Sequence, residues 1–304
     1  MSLKVNDPSV SERSPASERK KSMRKICVNI LKVLVSVALL YFVFRKIPFH
    51  DIAKTWSGVN VGYVIAGAVF FLVSQVLSAK RLEFYLKANN FDLDFKNNVK
   101  LYFLGMFYNF FIPGGIGGDA YKIYILNQKF SWNARQLTSS IFNDRLNGLL
   151  AIGVLMLIFI MFLIPVQWIP GAIIFILAGV LLVFLIIKKL FPVYQPILLK
   201  TLFISVLIQG LQSICFLFLL ESLDVSGNFT IYLIIFLGSS VLSLLSFAGI
   251  GIREFLFLQA SKYFDFHVSV SVSTSLLFTA VTAFFSILGL LFMFGKNDVK
   301  ECSI

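Results

Sequence analysis

The sequence predicts an all-α polytopic membrane protein, with about eight transmembrane helices and two Gly-rich re-entrant, discontinuous segments. Three observations carry that prediction. The chain is 58% hydrophobic and only 14% charged, against about 25% charged in a soluble domain. No Asp, Glu, Lys or Arg occurs from Leu146 to Ile187, from Val225 to Ile252 or from Val268 to Gly295, and a spanning helix needs about 20 mostly apolar residues. These runs are continuous rather than alternating, which excludes a transmembrane β-barrel.

The elements follow in order. Residues 1–25 are rich in Ser, Pro and mixed charge and read as a disordered, basic cytoplasmic tail. The tail ends in RKKSMRK, directly before an apolar run at 26–44. No small-x-small cleavage site follows, so this run is an uncleaved first span with a cytoplasmic N-terminus. Further spans are expected at 60–79, 98–112, 140–164, 170–188, 201–220, 229–247 and 269–294, with Pro165 and Pro170 flanking one tight turn. KRLEFYLKANNFDLDFKNNVK and KKLFPVYQPILLK are basic and read as cytoplasmic. IPVQWIPG and ESLDVSGN lack Lys and Arg and read as external. The last residues, 296–304, form a short cytoplasmic tail, so the protein is a multi-pass protein of the cytoplasmic membrane with both termini inside.

This topology contains a conflict. Span 98–112 should end outside, yet the next loop carries Lys122, Lys129 and Arg135 and reads as cytoplasmic. Segment 113–128 must therefore return across the membrane, wholly or in part. Segment 248–264 faces the same demand. Both are short and Gly-interrupted: FIPGGIGGDAYK ends at Lys122, and FAGIGIREF ends at Phe255. Gly115-Ile116-Gly117 is echoed by Gly249-Ile250-Gly251. Two such segments at corresponding places, running in opposite senses, point to an inverted-repeat transporter with its binding site at the broken helices.

Net charge is +12. In a chain this apolar, the excess fits positive cytoplasmic loops and an anionic lipid surface rather than nucleic acid. Cys27, Cys215 and Cys302 show no metal or disulfide spacing, and His50 and His267 are the two histidines. No cofactor or metal is expected. Gly115-x-Gly117-x-x-Ala120 matches a dinucleotide fingerprint only formally, because an aromatic membrane span precedes it instead of a β-strand. The sequence has no P-loop, so energy for transport must come from a gradient or from product removal.

The candidate substrate-binding residues are Gly115, Gly117, Gly118, Asp119, Lys122, Asp144, Arg145, Gly249, Gly251, Arg253 and Glu254. Glycine permits positive φ and close backbone approach. Asp119 stands at an expected helix N-cap, and Glu254 falls in the first turn of the next half-helix, where negative charge suits the dipole. Two readings stand. The motifs cap two re-entrant helices and do nothing more, or the half-helix N-termini attract an anionic headgroup. Arg253 is the expected partner of Asp119. NDRLNG puts Asp144 and Arg145 near the start of a span, and ionisable residues there usually face a bundle interior with partners.

The ordered motifs NFFIPGGIGGDAYKIYIL, NDRLNGLL and FAGIGIREFLF resemble the flippase-like integral membrane family, the transmembrane region of lysylphosphatidylglycerol synthase or multiple peptide resistance factor. The resemblance spans about residues 25–295 and marks 26–295 as a flippase-like transmembrane domain. It implies motif positions at Pro113, Gly114, Gly117, Asp119, Asp144, Arg145, Gly249, Gly251 and Glu254. Lys122 replaces an Arg of many relatives, and Phe247-Ala248 replaces a Pro-Gly-like lead-in. In the full-length synthase a soluble domain aminoacylates the lipid and the membrane part flips it. This chain is expected to be the stand-alone membrane part, an enzyme by name only. The implied activity is translocation of an anionic or aminoacylated phospholipid, or of a lipid-linked precursor. The alternative is a membrane partner or scaffold for a separately encoded lipid or glycosyl transferase. Implied partners are membrane lipids, such a transferase, or further copies of the chain.

Overall fold

The computed structural model describes residues 41, 55–111, 117–225, 227, 229–242, 251–264 and 268–294. The expected first span at 26–44 lies outside this set except for Tyr41, as do both tails, Pro113, Gly114, Gly115, Gly249, Cys27, Cys302, His50 and His267.

Among the described residues there are nine longer helices and no strand: α1 (Val61–Lys87), α2 (Phe95–Phe111), α3 (Gly117–Phe130), α4 (Ala134–Met161), α5 (Ile169–Leu190), α6 (Leu198–Glu221), α7 (Phe229–Leu242), α8 (Ile252–Ala260) and α9 (Val268–Phe294). The protein is an all-α polytopic membrane protein. By length and composition, five segments can cross a membrane: Val61–Lys87, Ala134–Met161, Val166–Leu190, Pro192–Glu221 and Val268–Gly289. α7 is a shorter apolar helix.

Helix limits follow local chemistry. α1 begins at an N-cap, where Asn60 Oδ1 accepts the Gly62 N–H at 3.0 Å. It runs past the expected end at 79 because KRLEFYLK stays helical, with Glu83 paired to Lys80 and Lys87 at 2.9 Å each. α4 starts at 134 rather than 140, since Asn133 Oδ1 accepts the N–H groups of Arg135 and Gln136. α5 buries almost nothing: Ile187 is its one buried side chain, and Ile174, Phe175 and Leu181 are exposed. This is the outward face expected of a helix against lipid tails.

α1 and α6 form an antiparallel pair. Asn60 N–H donates to the Ser222 carbonyl, Gly67 abuts the Cys215 backbone, and Tyr85 and Thr201 hydroxyls meet at 3.0 Å. Several other contacts repeat about this pair, although α4 packs more closely on α6 than α1 packs on α9. α1 packs on α2 and α4 as α6 packs on α7 and α9. α2–α3 and α7–α8 are both antiparallel hairpins, and α2 lies on α9 as α7 lies on α4. Equivalent helices that run in opposite directions define an inverted repeat, the arrangement that the two Gly motifs predicted.

The turns that carry Lys87, Lys129, Arg135, Lys188 and Lys189 lie together at one end of the bundle. There Phe91 stacks on Trp132, and Tyr85, Ile187, Tyr194 and Leu198 form one cluster. The larger core is aromatic: Phe216 stacks between Phe236 and Phe257 at 4.5 and 5.5 Å. Part of the Phe content therefore builds the interior.

Candidate functional site

The first hairpin, α2–α3, enters from the basic end, and the second, α7–α8, enters from the opposite end. Both stop part-way. Arg145, beside the first tip, is roughly three turns into α4, about 16 Å from the basic end at 1.5 Å per residue. Ser239, beside the second tip, is about 15 Å into α7 from the other end by the same rise. In a hydrocarbon core of about 30 Å, the tips meet near the midplane.

The first tip is built by close approach. A Cβ at Gly118 would fall on the Gly105 carbonyl, so only glycine lets α2 and α3 touch backbone to backbone. Gly118 N–H donates to Asn109 Oδ1 at 2.8 Å, which supplies the side-chain cap. Gly117 opens the helix, and Asp119 lies in its first turn. The expectation that Asp119 is the N-cap is thereby corrected: α3 starts two residues earlier, and Asn109 from the neighbouring helix satisfies the amide. The Asp119 carboxylate is free to bind cations.

Its partner is Arg145, not Arg253. Arg145 Nε donates to Asp119 Oδ2 at 2.9 Å and Nη2 donates to Oδ1 at 3.1 Å. Lys122 Nζ stands 3.6 Å from Asp119 Oδ1 and 4.3 Å from the Tyr102 ring centroid. α3 and α4 are sequential neighbours, whereas Arg253 belongs to the other hairpin.

The second tip differs. Gly251 has φ +88°, a left-handed conformation suited to glycine. Glu254 Oε2 accepts its N–H at 2.7 Å. Glu254 is wholly buried, and Oε1 accepts from the Ser275 hydroxyl at 3.0 Å. Arg253 Nε donates to Ser239 Oγ at 3.2 Å, and its guanidinium sits over the Phe278 and Phe236 rings at 4.7 and 5.4 Å. Among the described residues, none of the ion pairs includes Arg253 or Glu254.

Asp144 and Arg145 point apart, and both sit well inside α4 rather than at its start, because the helix begins earlier than expected. Asp144 pairs with Arg81 on α1, Nε to Oδ1 at 2.7 Å and Nη2 to Oδ2 at 3.1 Å. Arg81 Nη1 also donates to Ser205 Oγ at 2.8 Å. Ser205 in turn donates to Asn147 Oδ1. This buried network ties α1, α4 and α6 together. Sequence reasoning missed Arg81 because it assigned KRLE to a loop. The signal for it was Asp144 itself, since a carboxylate inside a span needs a partner.

The two tips enclose a chamber of about 260 Å³. Lys122, Arg145, Arg253, Asn109, Thr279 and Thr282 face it, together with Gln75 and Gln212 from near the middles of α1 and α6. These two glutamines were not singled out from the sequence. A larger groove of about 700 Å³ shares Gln75, Tyr102, Arg145, Gln212 and Ser240 with the chamber. Beyond these, it is lined mainly by apolar residues such as Ile123, Ile141, Phe142, Leu149 and Ile152. Phe142 is exposed, so the groove reaches the outer face of the bundle. The site thus brings Gly117, Gly118, Asp119, Lys122, Arg145, Gly251 and Arg253 to one place, with Glu254 just behind it and Asp144 turned away.

The arrangement is a polar, cation-rich chamber joined to an apolar slot, a shape that fits an amphiphile. A stretch of 105 residues is 26% identical to the UPF0104 membrane protein MJ1595 of Methanocaldococcus jannaschii, covering 34% of this chain and 31% of that protein. The match thus spans about a third of the relative's length. The family model described as the lysylphosphatidylglycerol synthase TM region matches residues 29–289. With that match across most of its length, the chain belongs to the lysylphosphatidylglycerol synthase transmembrane-region family.

Proposed function

We propose that this protein translocates a lipid with an anionic headgroup between the leaflets of the cytoplasmic membrane. The carrying observation is the charge of the midplane chamber. Lys122, Arg145 and Arg253 face it, and the nearby carboxylate, Asp119, which lines the adjoining groove, is already bonded to Arg145. The surplus of positive charge suits a phosphate. The adjoining apolar groove gives acyl or prenyl chains a route that never leaves a lipid-like surface. An aminoacylated headgroup also fits, with Asp119 as the acceptor for its ammonium.

The inverted repeat supplies the motion. Rocking one hairpin-bearing half against the other opens the chamber to each side in turn. The end carrying Lys87, Lys129, Arg135, Lys188 and Lys189 faces the cytoplasm by the positive-inside rule. A phospholipid or a polyprenyl-phosphate-linked precursor are both substrates of this chemistry.

The test is translocation in proteoliposomes, using purified protein and head-labelled anionic, zwitterionic and aminoacylated lipids. Faster transfer of anionic than zwitterionic lipid, lost in Arg253→Gln, is the expected result. Failure to move any lipid would overturn this function and put the role of transferase partner subunit ahead of it.

A further inference from the structure

Glu254 performs a task that capping alone does not require. It is 0% exposed at the tip of a hairpin near the membrane midplane. Oε2 caps Gly251. Oε1 faces two hydroxyls of α9, Ser275 at 3.0 Å and Thr279 at 3.5 Å. A carboxylate buried in a membrane without a bonded cation is costly and marks a functional position. The cation that acts on it is Arg253, its neighbour in sequence, and the two charges interact. Arg253 faces the chamber, and so does Thr279. Glu254 is therefore one hydroxyl away from the headgroup space.

Other titratable groups around it are few. α9 carries hydroxyls and apolar side chains but no charge, and α7 carries Tyr232. α6 brings Cys215 beside Phe216, whose ring stacks on Phe257 of α8. A hard metal ion is poorly served, because it takes about six or more oxygens and Oε1 meets two.

We propose that Glu254 binds a proton that travels with the lipid, linked to the headgroup through Arg253. The proposal rests on the translocation function above. When a headgroup phosphate reaches Arg253, it cancels the positive field that stabilises the Glu254 carboxylate. A proton then bonds to Oε1, and the new O–H donates to Thr279 Oγ1, while Oε2 keeps the Gly251 N–H. When the lipid leaves, the field of Arg253 returns and Oε1 releases the proton to the side the chamber faces. No electron moves and no covalent intermediate forms.

The experiment measures proton uptake on lipid binding. Calorimetric titration of the detergent-solubilised full chain with short-chain phosphatidylglycerol, in two buffers of different ionisation enthalpy, counts protons bound per lipid. Wild type is expected to take up a clear fraction of one proton, greatest at an intermediate pH and falling off toward both lower and higher pH. Short-chain phosphatidylcholine is expected to cause none. Glu254→Gln keeps the cap, because Gln also serves at that helix position, and its uptake per bound lipid is expected to fall to zero. Wild-type binding without uptake, or unchanged uptake in Glu254→Gln, would overturn the proposal. If that variant does not fold, Thr279→Val decides: it removes the hydroxyl that links Oε1 to the chamber, and unchanged uptake would count against the linkage. In proteoliposomes, an imposed pH gradient should change the wild-type rate severalfold. The ratio of rates with and without the gradient should be one in Glu254→Gln. A response to sodium but not to pH would also overturn the proposal. Proton-linked binding without translocation of any lipid would instead remove the transport function and leave the site.

Discussion

Asp119 and Arg145 are joined by two hydrogen bonds between α3 and α4, at 2.9 and 3.1 Å. The carboxylate is buried, but the Arg145 side chain is 44% exposed toward the cavities. A headgroup can therefore reach the guanidinium without first opening the bundle. Asp119→Asn keeps the shape and removes the charge. Its expected cost in stability is about 1.5–3 kcal/mol, the range for a hydrogen bond to a charged group, read as a lower midpoint of thermal unfolding in detergent. Translocation of aminoacylated lipid should fall at least tenfold, and that of a purely anionic lipid should fall less. Equal loss for both lipids would show that Asp119 positions Arg145 rather than receiving an amine.

Arg81 and Asp144 form the second such pair, and here both side chains are buried, 7% and 6% exposed. Asp144→Ala leaves a buried guanidinium without its partner, at a cost of about 3–5 kcal/mol. Arg81→Lys should not restore stability, because an ammonium cannot make the two-pronged contact and reach Ser205 together. Denaturant unfolding followed by circular dichroism tests both. Lipid selectivity of the surviving folded protein should be unchanged, since this pair holds α1, α4 and α6 together and Asp144 does not face the chamber.

Glycines of this protein should separate into two classes on substitution by alanine. At Gly118 and Gly289 the new methyl would collide with backbone, the carbonyls of Gly105 and Phe103, and backbone cannot turn aside. Overpacking of that kind costs about 1–3 kcal/mol or more. Gly153 and Gly210 are interior helical positions with nothing within 4 Å of such a methyl. Alanine there should stabilise by about 0.5–1 kcal/mol. Melting temperatures of the four variants, measured side by side, decide the matter.

Arg253 should tolerate lysine only in part. Lysine keeps the charge but loses the flat face that lies on Phe278 and Phe236. Arg253→Gln is expected to reduce anionic-lipid translocation tenfold or more with little change in unfolding midpoint, and Arg253→Lys to fall between it and wild type. A Gln variant as active as wild type would place the phosphate at Lys122 and Arg145 instead.

Much of the fold was legible because bilayer physics leaves few choices. Apolar runs located α4 to α7 and α9, and the clash of loop charges with span parity exposed the two re-entrant hairpins. Boundaries were less legible. Nothing in hydropathy tells that KRLEFYLK continues α1, because its stability comes from Glu83 bridging two lysines. Pairing was the least legible. Asp119 could have met Arg145 or Arg253 on charge alone. The choice is made by which helix lies beside α3, a tertiary fact that composition does not carry. Arg81 was hidden for the same reason, since a basic cluster at a helix end looks the same whether its members face water or a buried aspartate.

The antiparallel α1–α6 pair makes the two halves interchangeable as scaffolds, but their tips are not interchangeable. Counting from the shared Gly-Ile-Gly, the position held by Asp119 in the first tip is held by Arg253 in the second. The first tip has its own counter-ion on α4. Arg253 of the second tip donates to a hydroxyl and lies over two aromatic rings, and among the described residues it has no bonded counter-ion. Exchanging the environments of the halves therefore does not return the molecule to an equal energy. Under the proposed translocation, a scaffold with matching walls and unlike poles presents the same lipid with a different landscape from each face, so entry rates differ between the two sides while net direction still comes from a gradient.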